Sequence, residues 1–580
     1  VELTAIQQEI VTTQEKAVIV TAGAGSGKTR VLTHRIWWLI KQGCLNEEEI
    51  LGLTFTNKAA LQIRQRVEVL LGQTMNPFPA FLGTFHSWCA RFLRKHIKSP
   101  WNKDFTIYDT KDSAKVYRQV GEENKEEYKK VLMNCNALDF EDLIEKTLEI
   151  LEEDNDIRTL YQNKIKYILV DEFQDTDFTQ YKIVKILAEK QRQIMVVGDE
   201  DQCIYSWRGA NIENLNLFLN DFKPKIFKLE QNFRSSKNIV ELANKLVQHN
   251  LNRLDKHLFS ELPRGEIKHN TFYDERNEAQ MIAMQIMNEH RMHGTPYSHF
   301  AILMRLNATS RNFEEQFRGF GIPHIIWGGF KFYERAEIKS TINYLRVLCN
   351  PRDEVAYYDA MCFPKRGVGD SSIEKLKKGE SIPKKAQAGV DEFKKVLNEL
   401  ETINKKFGLV GLATSLISTI GLDIWFSGEK EDDISRLENI YELVEAIKNF
   451  AKDNPGATLN DFLQQVSLVQ DTDNGENGDA VIISTIHSAK GLEFENVFLI
   501  ALESGIFPLY RATQRNAELE EERRLLYVGI TRAMKNLYLS NVQSRFFMGD
   551  RKYQNPSEFL YDCDLIKSRA PTRERFEYFD

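Results

Sequence analysis

The sequence predicts an α/β protein of more than one domain, and three observations carry that reading. A strand, a glycine-rich loop and a helix follow one another over residues 17–40, and a second apolar run, Tyr167 to Val170, ends in two carboxylates. The chain, at 580 residues, also exceeds what a single hydrophobic core fills.

The first element is the segment AVIV, residues 17–20, which reads as a buried strand. It runs into TAGAGSGKTR, Thr21 to Arg30, which fits the phosphate-loop pattern G-x-x-x-x-G-K-[ST] except that Ala22 stands at the first glycine. That position asks only for a small side chain leaving a strand. Ala22, Gly23, Ala24, Gly25, Ser26 and Gly27 offer backbone N–H groups to phosphate oxygens, Lys28 reaches the β/γ-phosphates, and Thr29 supplies a hydroxyl for Mg²⁺. Val31, Leu32, Ile36, Leu39 and Ile40 then recur at helical spacing, so a helix N-terminus lies under the phosphates. A Gly/Ser turn without a ligand is the plain alternative, and the flanking strand and helix argue against it.

The second element is YILVDEFQDTD, an apolar strand that ends in Asp171 and Glu172. A carboxylate at such a strand end holds Mg²⁺, and one beside it takes the proton of an attacking water, which points to hydrolysis rather than transfer to a bound acceptor. The guanine-reading pattern N-K-x-D is not met, because TNKAA continues with alanines. Gln7, in LTAIQQEI, has the amide that pairs with adenine's exocyclic amine and ring nitrogen.

Composition sets the remaining limits. A net charge of −7 excludes a generally basic nucleic-acid coat and leaves any such binding to a local groove. The basic clusters RFLRKHIK (Arg91 to Lys98) and SRFFMGDRK (Ser544 to Lys552) are candidates, with a solvated face as the alternative. Seven scattered cysteines without a C-x-x-C pair fit free thiols in a reducing compartment better than disulfides or a zinc framework. His290 and His293, in HRMH, precede Gly294 and Pro296 and read as solvated rather than zinc-bound. No signal-like apolar core stands at the N-terminus, and the least charged stretch, FGLVGLATSLISTIGL from Phe407, is short for a membrane span and broken by Gly, Ser and Thr. A buried helix there, no membrane partner and a cytoplasmic location are expected.

Eight blocks in order carry a specific resemblance: AGAGSGKTR, LTFTNKAA, LGTFHSW, LVDEFQDTD, VVGDEDQCIYSWRGA, LEQNFRSS, STIHSAKGLEF and EEERRLLYVGITRA. With them the chain resembles the UvrD/Rep/PcrA helicases of superfamily 1A from Leu3 to about Ser557. The resemblance implies two RecA-like motor domains, each a parallel sheet with a helical insertion, and ATP with Mg²⁺ in the cleft between them. It places the first motor at 1–88 and 161–228 with its insertion at 89–160, the second at 229–365 and 480–560 with its insertion at 366–479, and a short tail at 561–580. The first insertion includes NALDFEDLI. The second opens with RGVGDSSIEKL, similar to a helix-hairpin-helix whose Gly-Val-Gly turn either offers amides to a duplex phosphate or simply caps a helix. Both insertions are short for the family, around 120–126 and 377–390, and the chain stops soon after the second motor, which fits either a naturally compact form or one with segments missing.

Site roles follow from the same resemblance, position by position. Asp171 joins Thr29 at Mg²⁺, and Glu172 is the general base. Gln7 and Arg30 contact nucleotide, Arg66 lies near the base, and Phe233 stands where the family usually stacks a tyrosine on adenine, a swap that keeps the π-face. Gln202 is the γ-phosphate sensor, Arg234 and Arg532 are charge stabilisers supplied by the second motor, and Glu493 is a coupling residue near the ribose. Phe55, His86, Tyr205, Trp207, Arg208 and His487 face single-stranded DNA, where aromatic faces hold bases without reading sequence. Phe546, Phe547 and Met548 fall at the tip of the strand-separating hairpin.

The expectation is an ATP-dependent helicase that tracks along single-stranded DNA, with 3′ to 5′ polarity implied by the family alone, acting at single/double-strand junctions as a monomer or weak dimer beside repair or replication proteins. Two other readings stay open. One is a helicase-nuclease subunit, disfavoured because little chain follows Ser557; the other is an ATP-driven remodeller that strips proteins from DNA with little unwinding.

Overall fold

The computed structural model describes residues 3–567 except 43–44, 73–80, 109–112, 115, 118–119, 122–123, 252, 254–255, 328–331, 352, 428–430, 455, 464–465, 467–477 and 548. It divides into two compact units, residues 1–264 with 520–531 and residues 265–519 with 532–580.

In the first unit, β1 (Ala17–Ala22), β2 (Ile50–Thr54) and β3 (Phe81–Thr84) join β6 (Tyr167–Val170), β7 (Ile194–Gly198) and β8 (Lys225–Leu229) in an all-parallel sheet of order β3-β2-β6-β7-β1-β8. The short β4 (Thr106–Ile107) and β5 (Ala137–Leu138) pair apart from it. Side chains alternate across a strand, so one apolar run serves two cores. Val18 and Val20 meet Leu169, Met195 and Val197 on one face, where Val31, Leu32, Ile36 and Leu39 of the helix Lys28–Lys41 pack; Ile19 turns to the other face with Leu53, Ile168, Val170 and Val196. Burial on both faces is why these strands read as unbroken apolar runs. The helices Phe85–His96 and Phe140–Glu153 add Phe92, Leu93, Leu143 and Leu151 to the core around Ile19.

All strands of this sheet run the same way, so the loops after β1, β2, β3, β6, β7 and β8 gather at one carboxyl edge, where open parallel sheets place their ligands.

In the second unit, β9 (Ile267–Asp274), β10 (Phe300–Met304), β11 (His324–Trp327), β12 (Val481–Thr485), β13 (Phe494–Leu499), β14 (Ala533–Phe547) and β15 (Asp550–Tyr553) form a sheet of order β11-β12-β10-β13-β14-β15, with β9 on β14. All pairs are parallel except the β14–β15 hairpin. A helical part of this unit has its own core, in which Ile338, Leu345, Phe393, Leu412, Leu416, Ile440, Leu443 and Ile447 pack together. The helix Lys384–Ile420 breaks at Gly408 (φ 64°), after which Leu409, Leu412, Leu416 and Ile420 are buried at helical spacing, as expected of the stretch from Phe407. No helix among the described residues is long and apolar enough to cross a membrane. Gly367 (φ 74°) and Gly369 lie between the helices Glu354–Met361 and Asp370–Lys377, and Gly369 caps the second.

Candidate functional site

The phosphate loop leaves β1 at the sheet's carboxyl edge. Gly25 (φ 70°) and Gly27 (φ 88°) adopt the left-handed conformation that side chains disfavour. Space excludes a side chain as well: a Cβ on Gly25 would come 2.7 Å from Cβ of Arg234, and one on Gly27 would come 2.9 Å from Nε2 of Gln7. Gly27 is the N-cap of the helix Lys28–Lys41, whose first N–H groups have no intrahelical partner. Ala22 is the last, fully buried residue of β1, so the missing first glycine costs the loop nothing it uses. Among the described residues Nζ of Lys28 is buried without a hydrogen-bond partner, and Oε2 of Glu172 forms an ion pair with it at 3.7 Å. A buried cation in that condition is costly until an anion satisfies it. The residues therefore fit a polyphosphate.

At the end of β6, Asp171 is buried and its N–H donates to the Leu53 carbonyl at 2.8 Å. Glu172 takes φ 50°, uncommon for a residue with a side chain, and Oε2 of its carboxylate accepts from Gln174 Nε2 at 2.6 Å. Burial first, and then the charge of Glu172, push the Asp171 carboxyl up to about 7 against the pull of Lys28. Such a carboxyl is relieved by a cation. Thr29, the residue expected to offer a hydroxyl, stands in the first turn of the helix Lys28–Lys41. Among the described residues there is no group of three or more His, Cys, Asp or Glu that could hold a metal ion.

The loop after β7 carries Asp199 to Gln202. Nε2 of Gln202 donates to Asp199 Oδ2 at 2.6 Å. Lys256, fully buried, bonds Asp199 Oδ1 and lies 3.0 Å from Glu200 and 3.2 Å from Asp201, while Arg253 forks onto Asp201 at 3.2 and 3.0 Å. Burial alone would raise the Asp199 carboxyl; the charges of Lys256 and Lys28 hold it below the ordinary value. Gln7 donates through Nε2 to the Ser26 carbonyl at 3.2 Å and accepts the Thr4 N–H at Oε1, 3.1 Å. Each amide atom keeps one further hydrogen-bonding position for a base.

Phe233 and Arg234, expected in the second motor, pack with the first unit just beyond β8. The Phe233 N–H donates to the Gly25 carbonyl at 3.0 Å and the residue is 48% exposed. Asn232 sets this segment: its Nδ2 donates to the Ala24 carbonyl at 2.7 Å while Oδ1 accepts the N–H groups of Arg234 and Ser235, both at 2.8 Å. Arg30 stands in the first turn after Thr29, and Arg66 is exposed on the helix Asn57–Leu71.

Aromatic groups occupy other positions of the same edge. Phe55, after β2, stacks on Tyr205 (centroids 5.6 Å, planes 14° apart), and Tyr205 meets Trp207 at 6.4 Å; Trp207 is 62% exposed. His86, after β3, stands edge-on to Phe140 at 5.4 Å, and Phe140 is 45% exposed. Burial lowers the His86 pKa, opposed by Asp177. Arg208 closes the turn Ser206–Arg208, and its side chain is outside the described residues.

The remaining expected residues belong to the second unit. Arg532 is 2% exposed and donates to the Leu492 carbonyl at 3.0 Å, beside an exposed Glu493; His487 follows β12. Phe546 and Phe547 pair with Arg551 and Asp550 at the end of the β14–β15 ladder, directly before the hairpin turn; Phe546 is buried, and Met548 lies outside the described residues. His290 stacks on Tyr297 at 4.0 Å and bonds the Thr295 carbonyl at 2.9 Å.

Sequence reasoning missed Phe140, Asn232 and Lys256. Phe140 sits inside the quoted NALDFEDLI and Asn232 inside LEQNFRSS, so their positions were flagged and their roles were not. Lys256, in DKHLFS, carries no local signal.

Comparison with known proteins identifies the family. A profile of the UvrD/REP helicase N-terminal domain matches residues 3–130 and 116–223, and one of the UvrD-like helicase C-terminal domain matches 227–544. The chain is 36% identical to the ATP-dependent DNA helicase PcrA of Bacillus subtilis (strain 168) over 99% of its own length and 87% of the relative's. Identity to PcrA of Staphylococcus epidermidis RP62A is 36% (99% and 88% covered), and to PcrA of Staphylococcus aureus Mu50 it is 35% (96% and 85%).

Proposed function

From the premise that the chain belongs to the UvrD-like helicase family, and is therefore an ATP-dependent DNA helicase, we propose that it couples ATP hydrolysis to movement on single-stranded DNA through the loop from Asp199 to Trp207. The observation that carries this reading is the sharing of one sheet edge: Lys28, Asp171 and Glu172 after β1 and β6, and Phe55, His86, Tyr205 and Trp207 after β2, β3 and β7.

Lys28 binds phosphate charge already present in the ground state, and the loop N–H groups orient it. Thr29 and Asp171 would hold Mg²⁺, which when bound neutralises charge on the phosphate oxygens. Glu172 takes the proton of the attacking water, and Gln174, bonded to its Oε2, fixes the direction of the carboxylate. Gln202, oriented by Asp199, reports on the far phosphate. Gln7 and Phe233 take the base, with Arg30 and Arg66 nearby; Arg234 and Arg532 meet the negative charge that spreads over the transferring group, and Glu493 acts near the ribose.

On the other part of the edge, Phe55, Tyr205 and Trp207 form a stacking shelf, with His86 and Phe140 as a second aromatic pair, and Arg208 and His487 complete the DNA contacts. The protein moves 3′ to 5′ toward single/double-strand junctions, as a monomer or weak dimer. ATPase activity with and without single-stranded DNA, beside unwinding of duplexes with a 3′ or a 5′ single-stranded tail, tests this. Turnover indifferent to DNA, or unwinding from the 5′ tail alone, would overturn it; removal of bound protein without unwinding would favour the remodeller.

A further inference from the structure

The helix Asn516–Ile530 carries Glu521, Arg524 and Tyr527 one turn apart on a common face, and each bonds a different point of the loop from Asp199 to Ser206. The Tyr527 hydroxyl donates to Asp199 Oδ2 at 3.4 Å, Arg524 Nε donates to the Cys203 carbonyl at 2.9 Å, and Glu521 Oε1 accepts the Ser206 N–H at 3.1 Å. The helix is itself tied down. Glu520 accepts the Leu251 N–H at 2.9 Å, and Arg523 donates to Asn250 Oδ1 at 2.8 Å. A single rigid element therefore holds the loop both where it orients Gln202 and where it presents Trp207.

Of the three contacts, the one made by Glu521 is the least built into the fold. Arg524 and Tyr527 are buried, whereas Glu521 is only partly so. The turn Ser206–Arg208 has no capping side chain at Tyr205, so its first N–H takes its acceptor from Glu521 instead.

We propose that Glu521 is a positioning residue for the stimulation of ATP hydrolysis by DNA: its carboxylate fixes the Ser206–Trp207 turn so that bases stacked on Tyr205 and Trp207 bias the loop that orients Gln202. This rests on the reading of that shelf as the single-stranded DNA contact.

The test compares full-length wild type, Glu521→Ala and Glu521→Gln by ATPase rate against oligothymidylate concentration. Glu521→Ala keeps the DNA-free rate, the KM for ATP and the thermal midpoint, while the half-activating DNA concentration rises by about fivefold, the scale of one lost hydrogen bond. Glu521→Gln, which retains an acceptor oxygen, restores most of the difference. An Ala variant with wild-type activation overturns the proposal, and so does one whose DNA-free rate and thermal midpoint fall together. A wild type that DNA does not stimulate overturns the functional reading itself, which separates the two failures.

Discussion

The ammonium of Lys28 lies 3.7 Å from Oε2 of Glu172, too far for a hydrogen bond, and among the described residues Nζ has no hydrogen-bond partner. The two groups thus form an ion pair without a hydrogen bond between them, and if Lys28 binds the nucleotide and Glu172 is the base, their substitutions are expected to fail differently. Lys28→Ala removes ground-state attraction and weakens nucleotide binding. Glu172→Gln is isosteric, keeps ATP and DNA affinity, and abolishes turnover, because the carboxylate acts only as the water loses its proton. Nucleotide binding by fluorescence and steady-state ATPase check the pair; near wild-type hydrolysis by Glu172→Gln would remove it as the base.

Asn232 holds the phosphate loop and Arg234 with one buried amide. Asn232→Asp preserves the acceptor at Oδ1 and sets an oxygen against the Ala24 carbonyl 2.7 Å away. The expected outcome is a loss of about 1–3 kcal/mol of stability with a raised KM for ATP. Thermal unfolding and ATP titration measure both, and an unchanged KM would show that the loop keeps its shape without this clamp.

How much of this was legible beforehand varied with the range of the interaction. The phosphate loop and the acidic strand end are local patterns, and Gly25, Gly27, Lys28, Asp171 and Glu172 do lie on neighbouring loops of one edge. The alternation that divides Val18 and Val20 from Ile19 between two cores was hidden, because strands buried on both faces lose their period-2 signal. Lys256 was hidden for a different reason. Its three carboxylates lie over fifty residues earlier in the chain, and a lone lysine beside a histidine reads as surface until the fold encloses it. The contacts of Phe233 and Arg234 were hidden in the same way: the Phe233 N–H reaches the Gly25 carbonyl and the Arg234 N–H the Asn232 side chain, neither of which a local pattern signals.

Trp207 is large, exposed and edge-on to Tyr205. If it stacks a base, Trp207→Ala loses about 1–3 kcal/mol of DNA affinity, a weakening of about five- to 150-fold, while nucleotide affinity without DNA holds. Binding to a mixed-sequence single strand by anisotropy is the measurement. Equal affinity in the variant would leave the shelf to Phe55 and Tyr205.

In the second unit, Glu442 on the helix Glu431–Asp453 receives Arg311 at Oε2, 3.1 Å, and at its backbone carbonyl. Burial raises its carboxyl to about 7, with Arg311 opposing. The folded chain then holds this proton more tightly than the unfolded one, so the contribution to stability is full below the ordinary carboxylate range and is lost as pH rises through about 7. Glu442→Gln should raise the thermal midpoint at about pH 8 and leave it close to wild type at about pH 4. A variant less stable at the higher pH would mean that the ion pair with Arg311 outweighs desolvation.

The last expectation concerns the two arginines assigned to the transferring phosphoryl group, whose negative charge spreads over its oxygens in the transition state. Arg234 has its β-carbon against the phosphate loop, within 2.7 Å of where a Cβ on Gly25 would stand, and its backbone is fixed by Asn232. Its planar fork stays charged and offers several donors, which a lysine cannot reproduce. Arg234→Ala should therefore cut turnover on the order of 10²-fold or more while sparing DNA binding without nucleotide, and Arg234→Lys should recover only part. Arg532 differs. It is buried and donates to the Leu492 carbonyl at 3.0 Å, so Arg532→Ala removes a structural contact along with any catalytic one. Thermal midpoints measured beside kcat separate the two effects: a catalytic role predicts a kcat loss of similar size to that of Arg234→Ala at a temperature where the variant is fully folded. Normal turnover in both alanine variants would mean that neither guanidinium meets the transition-state charge, and Lys28 with the loop N–H groups would have to carry it.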